Sequence, residues 1–169
     1  MFRGADVIAR PYVASDEAAF TSLVCDPCAM SPLGGPAPDP ASLFRRVLRE
    51  PMPNNGAWAV IHRKAGHYLG HVFVSPSRLV REPELGFVFC RPFWGRGFAS
   101  QAVPGVVEAL RVVSPSLRLA ATVDVENSRS QSVLARAGFQ LRGTQYDDDG
   151  PYLIYVLPNV PAAQRGAAS

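Results

Sequence analysis

The sequence predicts an α+β domain in which a mixed, mostly antiparallel central sheet is flanked by helices on both faces. Three observations predict it. A strand-forming run, Glu84–Cys90, feeds a glycine-bearing loop that opens a helical pattern, and another strand follows at Leu117–Val123. Turn residues place hairpins before and after that strand–helix–strand unit, at Arg63–Gly66 and Asp147–Gly150. With 169 residues, 47% hydrophobic and 18% charged, the chain has the composition of one folded domain with a sizeable core. We expect a single domain over residues 1–169, its core spanning about 7–157 and 158–169 forming a frayed tail.

The elements follow in order. Val7–Pro11 reads as a strand ended by proline. Ser15 or Asp16 is a cap for a helix over about 16–25, with Ala19, Phe20, Leu23 and Val24 on one face. Prolines and glycines dominate 26–40, which predicts a loop at a substrate entrance. A short helix covers Ala41–Glu50, Asn54–Gly56 turns, and the strands 57–62 and 67–75 form a hairpin. Beyond the glycine loop, Ala102, Val103, Val106, Val107, Leu110 and Val113 recur at helical spacing through 99–113. Pro104 inside this helix predicts a kink but leaves the first-turn donors untouched. Asn127–Ala137 is a helix closed by Gly138, and Phe139–Thr144 with Tyr152–Leu157 makes a terminal hairpin.

Composition excludes several classes. No apolar run is long enough to span a membrane and Met1–Pro11 lacks a secretory apolar segment, so the expected location is cytoplasmic. The net charge of +3 is modest and no basic cluster with interleaved aromatics occurs, so no nucleic-acid partner is expected. Cys25 and Cys28 form a CxxC without a second ligand pair, which favours ordinary thiols over a redox pair or a metal site. Asp147–Asp149 before Gly150 lacks the remaining calcium-ligand pattern and reads as an acidic turn, able to attract a cationic acceptor.

The loop carries the chemistry. A strand ending in small residues at a helix start presents uncapped N–H groups and the positive end of the helix dipole to an anion. A P-loop would need a lysine after the glycines, and none follows. A dinucleotide fold would read GxGxxG or GxGxxA, whereas Gly95–Ser100 ends in serine and follows antiparallel-looking strands. Trp94-Gly95-Arg96-Gly97-Phe98-Ala99 instead resembles the acetyl-CoA motif [Q/R]-x-x-G-x-[G/A] of the GNAT acyltransferase superfamily, with tryptophan at the first position. The longer stretch ELGFVF…PFWGRGFASQAV is similar to the branch that acetylates ribosomal-protein N-termini, with Gln101 where that branch has glutamate. Asn127–Phe139 resembles the family's N-x-x-S-x-x-V-L-x-x-x-G-F.

The resemblance implies the GNAT fold and an acetyl-CoA-dependent N-acetyltransferase without a metal. Its partner would be an amine: a protein N-terminus, a lysine or a small molecule. Pantetheine would insert between the parted strands, bonding to backbone at Phe87, Val88 and Phe89. The amides of Gly95, Arg96, Gly97, Phe98, Ala99 and Ser100 would hold pyrophosphate, with Arg96 adding charge. Asn127 either contacts the pantetheine arm or caps its helix. Ser130 either protonates the departing thiolate or is a solvated first-turn serine, with Tyr146 and Tyr155 as alternatives for the acid. Glu84 either orients or deprotonates the amine, or is a solvated carboxylate. The rival reading is a non-catalytic acyl-CoA-binding or interaction module on the same fold. An exposed strand edge is a route to a homodimer.

Overall fold

The computed structural model describes residues 1–49, 56–77, 79–147 and 150–158. The chain runs β1 (Phe2–Arg3), β2 (Val7–Pro11), α1 (Glu17–Val24), α2 (Pro27–Met30), α3 (Pro40–Arg49), β3 (Gly56–His62) and β4 (Tyr68–Ser75). It continues through β5 (Glu84–Phe89), α4 (Phe98–Val113), β6 (Ala120–Asp124), α5 (Ser128–Arg136), β7 (Gln140–Asp147) and β8 (Gly150–Val156). The strands form one sheet in the order β1-β2-β3-β4-β5-β6-β8-β7. Neighbours are antiparallel except β5 and β6, which are parallel.

Strand residues alternate between faces, and two cores result. Trp58, Val60, Val72 and Val74 pack with Ala102, Val103, Val106 and Leu110 of α4 and Val133 and Leu134 of α5. Ala57, Ala59 and Val88 pack on the opposite side with Phe20, Leu23 and Val24 of α1, Met30 of α2 and Phe44 of α3. The expected mixed sheet with helices on both faces is what forms. Among the described residues, no helix is long and apolar enough to cross a membrane.

Several local expectations need correction. The stretch 26–40 is not all loop: Pro27 opens the short helix α2, where proline lacks only an N–H that would be unpaired anyway. Asp26 Oδ1 caps it by accepting from Cys28 N (2.9 Å) and Ala29 N (3.1 Å). Asp16 lies in a 3₁₀ turn before α1 rather than bonding the helix amides; its carboxylate accepts from Val13 N (2.9 Å) and pairs with Arg10 (2.7 Å). β1 was not expected; the Phe2 ring fills the space over Gly105 of α4 that a Cβ would occupy. β6 starts at Ala120 rather than Leu117, and β7 runs on to Asp147. The expected turn residues Asn54 and Asn55, the end of the third helix at Glu50, Asp148 and Asp149 of the acidic turn, and the tail from Asn159 lie outside the described residues.

Candidate active site

β5 and β6 share one rung, Glu84↔Ala120, and then part. Ala120 N donates to the Pro83 carbonyl at 3.0 Å. At the next position a side chain replaces the backbone acceptor: Glu84 Oε1 accepts from Thr122 N (3.1 Å) and, in a short contact, from Thr122 Oγ1. Glu84 Oε2 accepts from Ser77 Oγ at 2.7 Å. The carboxylate is therefore a clip at the closed end of a V.

Register decides which backbone groups face into the V. Cys90 N donates to the Leu69 carbonyl (2.8 Å), so Gly70–Phe89 is a non-hydrogen-bonded rung of the β4–β5 ladder. Val88 consequently directs its N–H and C=O to His71 of β4, while Phe87 and Phe89 turn theirs toward β6. Trp94 Nε1 donates to the Phe89 carbonyl at 2.6 Å, fixing the end of β5. The Phe87 N–H and C=O and the Phe89 N–H are thus presented to the cleft.

The cleft opens into a cavity of about 600 Å³ between the strand ends, the Phe93–Ser100 loop and the start of α5. Gly95 (φ 73°) and Gly97 (φ 77°) hold the left-handed backbone that swings this loop round, a conformation side chains disfavour. No atom lies within 4 Å of where a Cβ would stand on either. Gly97 is the N-cap position of the 16-residue α4, whose first turn has no side-chain cap, the arrangement that suits a helix N-terminus to an anion. Arg136, at the end of α5, donates to Ser100 Oγ at 3.1 Å and brings a cation to the same corner. On the far side, Ala29, Pro32 and Leu33 close the cavity with an apolar wall.

A family model described as an acetyltransferase (GNAT) domain matches residues 6–140. The chain belongs to the GNAT acetyltransferase family. This GNAT chain is 24% identical over 100 residues to the Bacillus subtilis uncharacterized protein YkkB, a match spanning 58% of each chain. The solved spermidine N-acetyltransferase from Vibrio cholerae, in complex with CoA and spermine, superposes with a TM-score of 0.78 at 14% identity, covering 92% of this chain and 97% of that one. RimL, a ribosomal L7/L12 α-N-protein acetyltransferase in complex with coenzyme A, gives 0.72 at 14% identity, covering 90% and 94%. At these identities the likeness to both structures is one of fold.

Within this GNAT domain the residues singled out from the sequence separate. Phe87, Val88, Phe89, Gly95, Gly97, Phe98, Ala99, Ser100, Asn127 and Ser130 all line the cavity. Glu84 and Arg96 are not among its lining residues. The Arg96 guanidinium lies over the rings of Phe93 and Phe98, 5.9 and 5.3 Å from their centroids. Asn127 Oδ1 accepts from Ser130 N (3.1 Å) and so caps α5 from inside the cavity. Tyr155 is buried in the α4-side core, and Tyr146 stands exposed on β7.

Three features escaped the sequence reading. Trp94 stood out only as a departure from a motif, yet it is the group that fixes Phe89. Arg136 lies in the second motif, but nothing there indicates that it reaches Ser100. The third is a buried polar cluster behind β5, where the Tyr12 hydroxyl bonds both Tyr68 Oη (2.7 Å) and His71 Nδ1 (2.8 Å). Burial holds the His71 pKa down, to about 4, and raises those of Tyr12 and Tyr68, so all three stay neutral near pH 7. Burial also pushes up the thiol of half-buried Cys90. Among the described residues, no group of three or more His, Cys, Asp or Glu side chains is placed to hold a metal ion.

Proposed function

We propose that the protein is an acetyl-CoA-dependent N-acetyltransferase that moves the acetyl group directly to a primary amine. The observation that carries this reading is the parting of β5 and β6 after one rung, directly beside an uncapped helix N-terminus. An extended pantetheine arm fits the gap as a short extra strand, taking hydrogen bonds from Phe87 and Phe89. The diphosphate sits on the amides from Gly95 to Ser100, and Arg136 supplies the positive charge there. Arg96, committed to its aromatic stack, contributes at longer range.

The chemistry follows from these positions. The Phe89 N–H points where the thioester oxygen gains charge as the amine nitrogen attacks, and stabilises it. The amine attacks as the neutral base, the new C–N bond forms, the C–S bond breaks, CoA leaves as a thiolate, and the nitrogen sheds its surplus proton to solvent. The Ser130 hydroxyl, on the cavity wall, delivers a proton to that sulfur and recovers one from solvent. The acceptor enters past Ala29, Pro32 and Leu33. Glu84 takes a structural part, holding the V shut at its base. Acceptor candidates are a peptide N-terminus, a lysine or a small amine; the fold neighbours include enzymes named for spermidine and for a ribosomal protein.

The test is release of free CoA thiol from acetyl-CoA across a panel of such amines. Amine-dependent release is expected, and Ser130→Ala should lower kcat by about 10²-fold or more without weakening acetyl-CoA binding. Binding of acetyl-CoA without release to any amine would contradict transfer.

A further inference from the structure

Trp94 closes one half of a hydrogen-bonding position in the cleft. Its indole Nε1 donates to the Phe89 carbonyl at 2.6 Å. The residue lines the cavity and is 43% exposed, more than a role in core packing requires. The loop holds the ring in place. Trp94 follows the 3₁₀ turn Arg91–Phe93, donates its own N–H to the Arg91 carbonyl (3.1 Å), and leads in extended backbone (φ −65°, ψ 149°) to Gly95.

Phe87 and Phe89 therefore offer different things on the strand edge that faces β6. Phe87 keeps both an N–H and a C=O for the cleft, whereas Phe89 keeps its N–H and has its carbonyl filled. The two positions match two kinds of group in acetyl-CoA. The pantetheine arm carries amides, which bring both donors and acceptors. The acyl end carries a thioester carbonyl and a methyl group, which is an acceptor without a donor. A bare Phe89 carbonyl beside that end would lose water and gain no partner. With the indole in place, Phe89 is complementary to the acyl end, and an arm amide that turned its N–H toward Phe89 would find no acceptor there.

We propose that Trp94 is a positioning residue that reserves Phe89 for the thioester. It acts through the Phe89 carbonyl: filling that acceptor stops an amide of the arm from competing for the position, and so sets one place for the reacting carbon along β5. A thioester held in one place reacts faster than one divided between two. This role rests on the acetyl-CoA reading of the cleft, and it belongs to a side chain at which the sequence departs from the glycine-loop motif.

The test compares the full-length wild type with Trp94→Phe, which keeps a ring and removes the N–H, and Trp94→Gln, which restores an N–H donor of similar reach. The readouts are kcat for thiol release with an amine that the wild type acetylates, Kd for acetyl-CoA, and Kd for the analogue carrying N–H in place of the thioester sulfur. Trp94→Phe should lower kcat about tenfold or more while the acetyl-CoA Kd stays unchanged. It should also bind the amide analogue more tightly than the wild type does, because the freed Phe89 carbonyl takes the analogue's N–H. Trp94→Gln should return both quantities toward the wild type. The binding measurements need no acceptor, so they hold whichever amine is the substrate. Unchanged kcat in Trp94→Phe, or no gain in affinity for the amide analogue, overturns the role of Trp94 and leaves acetyl-CoA binding standing. Equal losses of affinity for both ligands make Trp94 a structural residue and overturn it as well. A wild type that binds no acetyl-CoA overturns the underlying reading and this role with it.

Discussion

The two oxygens of Glu84 accept three hydrogen bonds, one from Ser77 and two from Thr122, and the two from Thr122 join β5 to β6 where a backbone rung is missing. Glu84→Gln keeps the shape but turns an amide NH₂ toward one of those donors. Thermal stability should drop by roughly 1–3 kcal/mol, while the folded enzyme keeps its thiol-release rate. A full-stability variant with lost turnover would return the carboxylate to the chemistry. His71 gives a second prediction at this scale. Its pKa is held near 4 by burial, below the 6.5 of an exposed histidine. Between those values the unfolded chain binds the extra proton, so stability is complete above about pH 6.5 and falls as pH drops toward 4. The loss from this group is on the order of 3 kcal/mol. Melting temperature followed over that window should fall less steeply in His71→Gln; an identical slope would remove His71 as the cause.

Elements legible in the sequence are those whose signals are local. α4 showed its apolar spacing, and Asn127 with Gly138 marked both ends of α5. The hairpins flanking the central unit were marked by their turn residues. Elements set by distant partners were not legible. β1 is two residues long, and the residue that accommodates Phe2, Gly105, lies on another element a hundred positions on. α2 was hidden because proline punctuates a loop and opens a helix equally well, and the Asp26 cap decides between them. The clip on β6 escaped because Thr122 is 38 residues from Glu84. Gly105→Val tests this long-range docking. The new side chain meets the Phe2 ring, so amide exchange at the N-terminus should rise and stability should fall by about 1–3 kcal/mol. Unchanged exchange would mean that the Phe2 contact does not hold β1.

At the scale of the molecule, the fold serves one opening. Two helical layers clamp the sheet from both faces, and the sheet is left unzipped along the parallel seam between β5 and β6. The glycine loop, the α4 amides and Arg136 gather at one end of that seam, while Ala29 of α2 and Pro32 and Leu33 of the turn after it form an apolar wall to the cavity. The half proposed to hold the diphosphate was readable because it consists of backbone and small residues in a fixed order. The half proposed for the acceptor was legible only as the stretch 26–40, because which of its side chains, Ala29, Pro32 and Leu33, reach the cavity is set by tertiary packing. The central claim is that this seam and loop bind acetyl-CoA, and calorimetric titration of acetyl-CoA tests it most directly with Gly97→Glu and Gly97→Ala beside the wild type. Both substitutions impose the same left-handed strain, but only glutamate sets a negative charge against the diphosphate. The account predicts one site per chain in the wild type, weakened binding in Gly97→Ala and none in Gly97→Glu. No heat of binding in the wild type, or equal affinity in Gly97→Glu, would contradict it.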